Sequence, residues 1–170
     1  MKVTSRCAEC KLKDFCVGDK EQNFYDEMWG SYAKLLSKEF AGNMKDHLPR
    51  KARNRKNIDN SDYLPRCYYA VLLYQAIKDQ CLDHYTGSKL GEIDWTKAQE
   101  GGKHPGAPAI DHINPACKAP FDNSGAPNLA FCRNDVNDAK NNLSYDKFVK
   151  LCQAVVDFDK KKSLSGPSGL

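Results

Sequence analysis

Between Tyr85-Thr86-Gly87 and Pro127 the chain cannot sustain a long regular element. Gly101-Gly102, Pro105-Gly106, Pro108, Pro115, Pro120, Gly125 and Pro127 interrupt it every few residues. Each either removes a backbone donor or favours a turn, which excludes long helices here. Two apolar pieces are short enough to survive, Ala109-Ile110 running into Ile113 and Leu129-Ala130-Phe131. They predict the strands of a small hairpin. A polar helix from about Asn134 to Asn141 is expected next. A clearer one follows, because Phe148, Leu151, Cys152, Val155 and Val156 fall at i, i+3, i+4, i+7 and i+8, with Ser144 placed as N-cap. The tail Asp159 to Leu170, three lysines and then Ser, Gly and Pro, reads as disordered.

The N-terminal half has the opposite texture. Phe24, Tyr25, Met28, Trp29, Tyr32, Leu35, Leu36 and Phe40 keep helical spacing from Gln22 to Phe40, predicting one amphipathic helix that Gly42 ends. A second helix is expected from near Asp62, with Pro65 in its first turn, through Cys67, Tyr68, Val71, Leu72, Gln75, Ile77 and Leu82. Its apolar face is broad, so it should be central. The fold class that follows is mainly α with a small β-hairpin.

Between those helices Arg50, Lys51, Arg53, Arg55 and Lys56 place five positive charges in seven residues. Removing them from a net charge of +4 leaves the rest at −1. With Pro49 and the Asn and Asp residues up to Asp62, the segment reads as an exposed basic connection. A local basic run on a near-neutral body suits a phosphate backbone, whose neutralisation releases counterions. A solvated loop is the plainer reading of the run by itself. The 170 residues, 41% apolar and 28% charged, suffice for one core. Mean hydropathy is −0.68. With no 18-residue apolar run and no apolar stretch behind Met-Lys-Val-Thr-Ser-Arg, neither a membrane span nor export is expected, and the cytoplasm is the expected compartment.

The chemistry-bearing stretch is Ile110-Asp111-His112-Ile113-Asn114-Pro115, then Asn128-Leu129-Ala130-Phe131-Cys132, then Asn137-Asp138-Ala139-Lys140. Adjacent strand residues point to opposite faces. Asp111 and His112 can therefore share a site only if it wraps the strand end. The three pieces at this spacing resemble the HNH endonucleases of the ββα-metal (His-Me finger) group, with Asp-His-Ile-x-Pro, Asn-Leu, and an Asn-x-x-Lys close nine residues after the central Asn. More weakly, Tyr85-Thr86-Gly87-Ser88-Lys89-Leu90 resembles the Tyr-Thr-Gly-x-x-Leu turn that often precedes the motif. The resemblance covers His84 to Phe158, less than half of the chain.

It implies a ββα-metal unit packed on the helical region and a one-metal cleavage or nicking of double-stranded DNA. His112 matches the general base, with an ordinary imidazole pKa near 6.5 suited to neutral pH. Asn128 matches the residue that orients the imidazole, and Asp111 and Asn137 match the metal ligands. Asn137 stands where the commonest form has His. An all-oxygen pair favours Mg²⁺ or Mn²⁺ over Zn²⁺ or Ni²⁺. Lys140, and more weakly Arg133, would touch phosphate. The alternatives are a DNA-binding module without catalysis and a zinc-stabilised interaction protein. Whether the chain is a monomer or a homodimer is left open.

Many HNH domains hold a structural zinc with two Cys-x-x-Cys pairs around the hairpin. Here Cys132 stands where the second pair would begin, but its partner position is Asp135. The N-terminal Cys7, Cys10 and Cys16, with Cys67 or Cys81 as fourth ligand, are the alternative place for zinc or an iron-sulfur cluster. Disulfides, or no metal, are the other readings. Cys117, Cys132 and Cys152 read as small core residues. His84 reads as a helix-end residue, and His104 as a neighbour of the site without a role. The organisation expected is 1–20 cysteine-rich, 21–85 helical with the basic connection 50–56, 86–158 the hairpin unit with a C-terminal packing helix, and 159–170 a flexible tail.

Overall fold

The computed structural model describes residues 10–17, 23–90 and 105–164. Helix α1, Phe24–Tyr32, passes into a short 3₁₀ turn, Ala33–Leu35, and stops. Leu36 is extended, and Ser37 restarts the chain as α2, Lys38–Met44, its Oγ accepting from the Phe40 N–H at 3.2 Å. The single helix expected to Phe40 is thus two. A side-chain oxygen that satisfies an orphan N–H outcompetes the apolar period, and Gly42 lies inside α2 rather than ending the first helix.

The basic run is a helix as well, α3, Leu48–Asp59, and not an exposed connection. Arg, Lys and Ala are good helix formers, and Pro49 sits in the first turn, where its missing N–H costs nothing. Asn60, in the left-handed conformation (φ 47°), closes the helix with its N–H on the Lys56 carbonyl. Leu48 and Ala52 are fully buried. Tertiary burial of this narrow stripe therefore anchors a helix whose other residues are almost all polar.

Helix α4, Pro65–Lys78, begins as expected with Pro65 in its first turn, and Tyr68 to Leu73 are buried without a break. A helix covered all round is the centre of the molecule. It packs on α3 and on the hairpin. The hairpin is β1, Pro108–His112, antiparallel to β2, Leu129–Arg133, in a register that sets Asp111 opposite Ala130 and His112 opposite Leu129. Phe131 on β2 meets Phe40 of α2 edge to face at 5.7 Å. One buried cluster therefore runs from Leu12 and Phe24 through α4 to Leu129 and Phe131.

Helix α5, Asn134–Lys140, follows β2 directly and packs on both strands. Helix α6, Tyr145–Leu164, begins with the Phe148 N–H on the Ser144 carbonyl. It continues through the first part of the predicted disordered tail, and residues 165–170 lie outside the described residues. It does not act as a packing helix along its length. Tyr145 and Phe148 meet the Tyr85 ring, whereas Leu151 is 50% and Phe158 70% exposed, and Cys152 is exposed rather than core. Among the described residues no helix is long and apolar enough to cross a membrane.

Candidate functional site

A cleft of about 450 Å³ opens where β1 ends, between α3 and α5, lined among others by Arg55, Asp111, His112, Lys118, Asn137 and Asp138. Asp111 and His112 share it although they are neighbours on a strand. His112 is the last residue of β1, and the cleft wraps that end. Asp111 faces Tyr85 and α5, and His112 faces α3.

His112 is 2% exposed, and both ring nitrogens are engaged. The Arg55 guanidinium meets Nδ1, and Nε2 lies 3.1 Å from Asp59 Oδ2. A guanidinium can only donate, so Nδ1 carries the lone pair and Nε2–H donates to Asp59. Burial first, then Arg55, Lys118 and Lys140, push the imidazole pKa down to about 3, so the ring is neutral at pH 7. The Asp59 side chain is 1% exposed. Burial raises its pKa against the pull of Arg55, whose Nε lies 3.2 Å from Asp59 Oδ1. That Nε is buried without an aligned hydrogen-bond acceptor.

The helix that carries Arg55 and Asp59 explains how they arrive there. Leu48, Ala52, Arg55 and Asp59 are spaced 4, 3 and 4 apart, one continuous face of α3. The first two are anchored in the core, and the last two extend the same stripe over the end of β1. Arg50, Arg53 and Lys56, at i, i+3 and i+6, lie on another face of α3. Arg53 lines a second cleft with Tyr25, Trp29, Lys45 and Asp46, Arg50 bonds His47 Nδ1 at 2.5 Å, and burial lowers the Lys51 pKa, with Arg50 adding to it. Lys56 lies in the last turn of α3. Of the five cations of the run, Arg55 lines the cleft at the end of β1.

Asp111 accepts from the Tyr85 hydroxyl at 2.5 Å and from Lys140 Nζ at 2.7 Å, both on Oδ2. Burial and Asp111 keep the phenol protonated. The Tyr-Thr-Gly turn delivers Tyr85. Asp83 Oδ1 accepts from the Tyr85 and Thr86 N–H groups, Gly87 supplies a φ of 68°, and the His84 N–H bonds the Phe131 carbonyl beside β2. His84 itself pairs with Asp79 at 2.8 Å. Lys140, expected at a phosphate, is fully buried. Its Nζ also donates to the His112 carbonyl at 3.1 Å and lies over the Tyr85 ring. Arg133 is paired with Asp135 at 2.6 Å.

Asn128 is 1% exposed and bonds the loop rather than the imidazole. Its Oδ1 accepts from the Asn114 N–H at 2.7 Å, and its Nδ2 donates to the carbonyls of Asn114, Cys117 and Ala119. It closes the loop that brings Pro115 and Lys118 to the cleft. The ring-holding expected of Asn128 falls to Arg55 and Asp59.

Asp111 and Asn137, the residues expected to hold a cation, both line the cleft, and a carboxylate with an amide oxygen would suit Mg²⁺ or Mn²⁺. Lys140 already sits on Oδ2, leaving Oδ1 outside those two bonds. Of the cysteines expected at a structural metal, Cys7 lies outside the described residues, Cys10 and Cys67 are partly buried, Cys16 is exposed and Cys81 is buried. Among the described residues no three His, Cys, Asp or Glu side chains are gathered in one metal-holding group. His104 lies outside the described residues.

Asp59, Tyr85 and Lys118 were not among the site residues expected from the sequence. For Asp59 the signal was the face through Leu48 and Ala52, and for Tyr85 the turn sequence itself. Lys118 had no local signal. No protein-family model, curated protein or solved structure matches the chain.

Proposed function

We propose that the chain is a metal-dependent endonuclease of the HNH type that hydrolyses DNA phosphodiester bonds, with His112 as general base and Asp111 and Asn137 as the protein ligands of one divalent cation. The observation that supports this reading most is convergence. Asp111, His112 and Asn137, from a strand end and a helix, line one cleft with Arg55 and Lys118. A neutral imidazole can take a proton from water, and the two cations suit a phosphate. Mg²⁺ or Mn²⁺ bound there would stabilise the charge that develops on the leaving oxygen. Arg55 and Lys118 take over the phosphate contacts first expected of Lys140 and Arg133.

A second reading has one specific observation in its favour. Lys140 occupies Asp111, and Arg55 occupies the lone-pair nitrogen of His112. A cleft neutralised from within suits a DNA-binding module without catalysis. Plasmid cleavage separates the two, using wild type beside His112→Ala in EDTA, Mg²⁺, Mn²⁺, Ni²⁺ and Zn²⁺. Nicked or linear product from the wild type alone, in Mg²⁺ or Mn²⁺, is expected. Salt-dependent DNA binding without product in any metal would establish the binding module, and salt-insensitive, weak binding would discard both.

A further inference from the structure

The groups that hold His112 come from a helix whose sequence lies outside the motif, and they make opposite demands on the ring. Asp59 is almost wholly buried, accepts Nε2–H at 3.1 Å, and is itself tied by Arg55 Nε at 3.2 Å and by the Tyr68 hydroxyl. This arrangement fixes both ring orientation and tautomer, directing the lone pair to Nδ1. Arg55 sits on that same Nδ1 and lines the cleft, and it also reaches the Ile110 carbonyl at 3.5 Å. Its buried Nε faces Asp59, so what Arg55 can offer an arriving phosphate oxygen is the fork of its terminal NH groups.

We propose that Asp59 is the positioning residue of the general base, and that Arg55 is a phosphate contact whose transfer from His112 Nδ1 to the scissile phosphate frees that nitrogen for the attacking water. The proposal rests on the nuclease reading for its reaction, but not for its geometry. In the step itself, water loses one proton to Nδ1 while its oxygen bonds phosphorus. The bond from phosphorus to the 3′ oxygen breaks with its electron pair on that oxygen, which takes a proton from solvent. The imidazolium, stabilised by the Asp59 carboxylate, returns its proton to solvent. Before substrate arrives, Arg55 keeps the base covered. The site would then be switched on by the phosphate it acts on.

The test uses the full chain in three forms, wild type, Asp59→Asn and Arg55→Ala, with thermal unfolding to confirm that each is folded. In ¹⁵N-histidine spectra recorded in EDTA, the wild-type His112 ring should be the single Nε2–H tautomer. In Asp59→Asn, whose amide can donate as well as accept, it should become a mixture, and kcat should fall by about tenfold or more with KM within about twofold. Arg55→Ala should keep the Nε2–H tautomer but bind DNA more weakly, with a salt slope lower by about one, and Arg55→Lys should restore part of that slope. A wild-type tautomer and kcat in Asp59→Asn would overturn the positioning role, and an unchanged salt slope in Arg55→Ala would overturn the phosphate contact. If the wild type cuts no DNA, the nuclease reading fails, while the tautomer and the salt slope still decide what Asp59 and Arg55 do.

Discussion

Helices α3 and α6 invert what their compositions suggest. Helix α3 carries five cations within seven residues, yet it is packed on α4, buries Leu48 and Ala52 completely, and inserts Arg55 and Asp59 beside Asp111 and His112. Helix α6 has an apolar half-face from Tyr145 to Phe158, yet among the described residues Tyr145 and Phe148 near its start meet the Tyr85 ring while Leu151, Val155 and Phe158 are exposed. The difference teaches that position on a face matters more than average composition. Two fully buried apolar residues four apart hold a charged helix in place, whereas a broad apolar face with no neighbouring surface among the described residues is left exposed.

The largest effect expected from this contrast is on stability. Leu48→Ala removes a side chain with no exposure and should cost about 2–5 kcal/mol. Leu151→Ala on α6 should change stability by no more than about 0.5 kcal/mol. Urea unfolding of the two variants measures both, and equal losses would break the comparison.

The lower end of the α3 stripe carries a pH dependence. The folded His112 pKa is about 3 and the unfolded one about 6.5, so between those values the unfolded chain binds the extra proton. The stability associated with neutral His112 is therefore fully present above about pH 6.5 and declines as pH falls toward 3. Asp59, raised by burial, acts in the opposite sense above its ordinary carboxylate range. Unfolding free energies in EDTA should fall by about 2 kcal/mol more from pH 7 to pH 5 in the wild type than in His112→Ala. Parallel curves would mean that α3 does not hold the ring neutral.

The sequence was most legible where the signals are local. Pro65 at a helix start, the short apolar pieces around Ile110 and Ala130, and the polar helix after Arg133 all appear as expected, because Pro and Gly breaks confine them. It was least legible where a local signal conflicts with a longer one. Leu35 and Leu36 continue the helical period, but the Ser37 cap divides it. Arg, Asn and Asp in α3 look like a loop until Leu48 and Ala52 are buried. The site divides the same way. Asp111, His112 and Asn137 could be grouped by spacing, and they do line one cleft. Arg55 and Asp59 lie 57 and 53 residues from His112, and no periodicity reports a contact over that distance.

The smallest expected effect is at the far end of α6. Phe158 is 70% exposed and belongs to the part of the helix beyond the Tyr85 contact. Replacing it by Ser removes apolar surface that is already largely hydrated, so the folded and unfolded chains lose nearly the same hydration term. What remains is a small difference in helix propensity. Phe158→Ser should therefore leave the urea midpoint within about 0.5 kcal/mol of wild type. If that variant destabilised the chain as much as Leu48→Ala does, the apolar half-face would have to be covered in solution, and α6 would then belong with α3 among the helices that hold the fold.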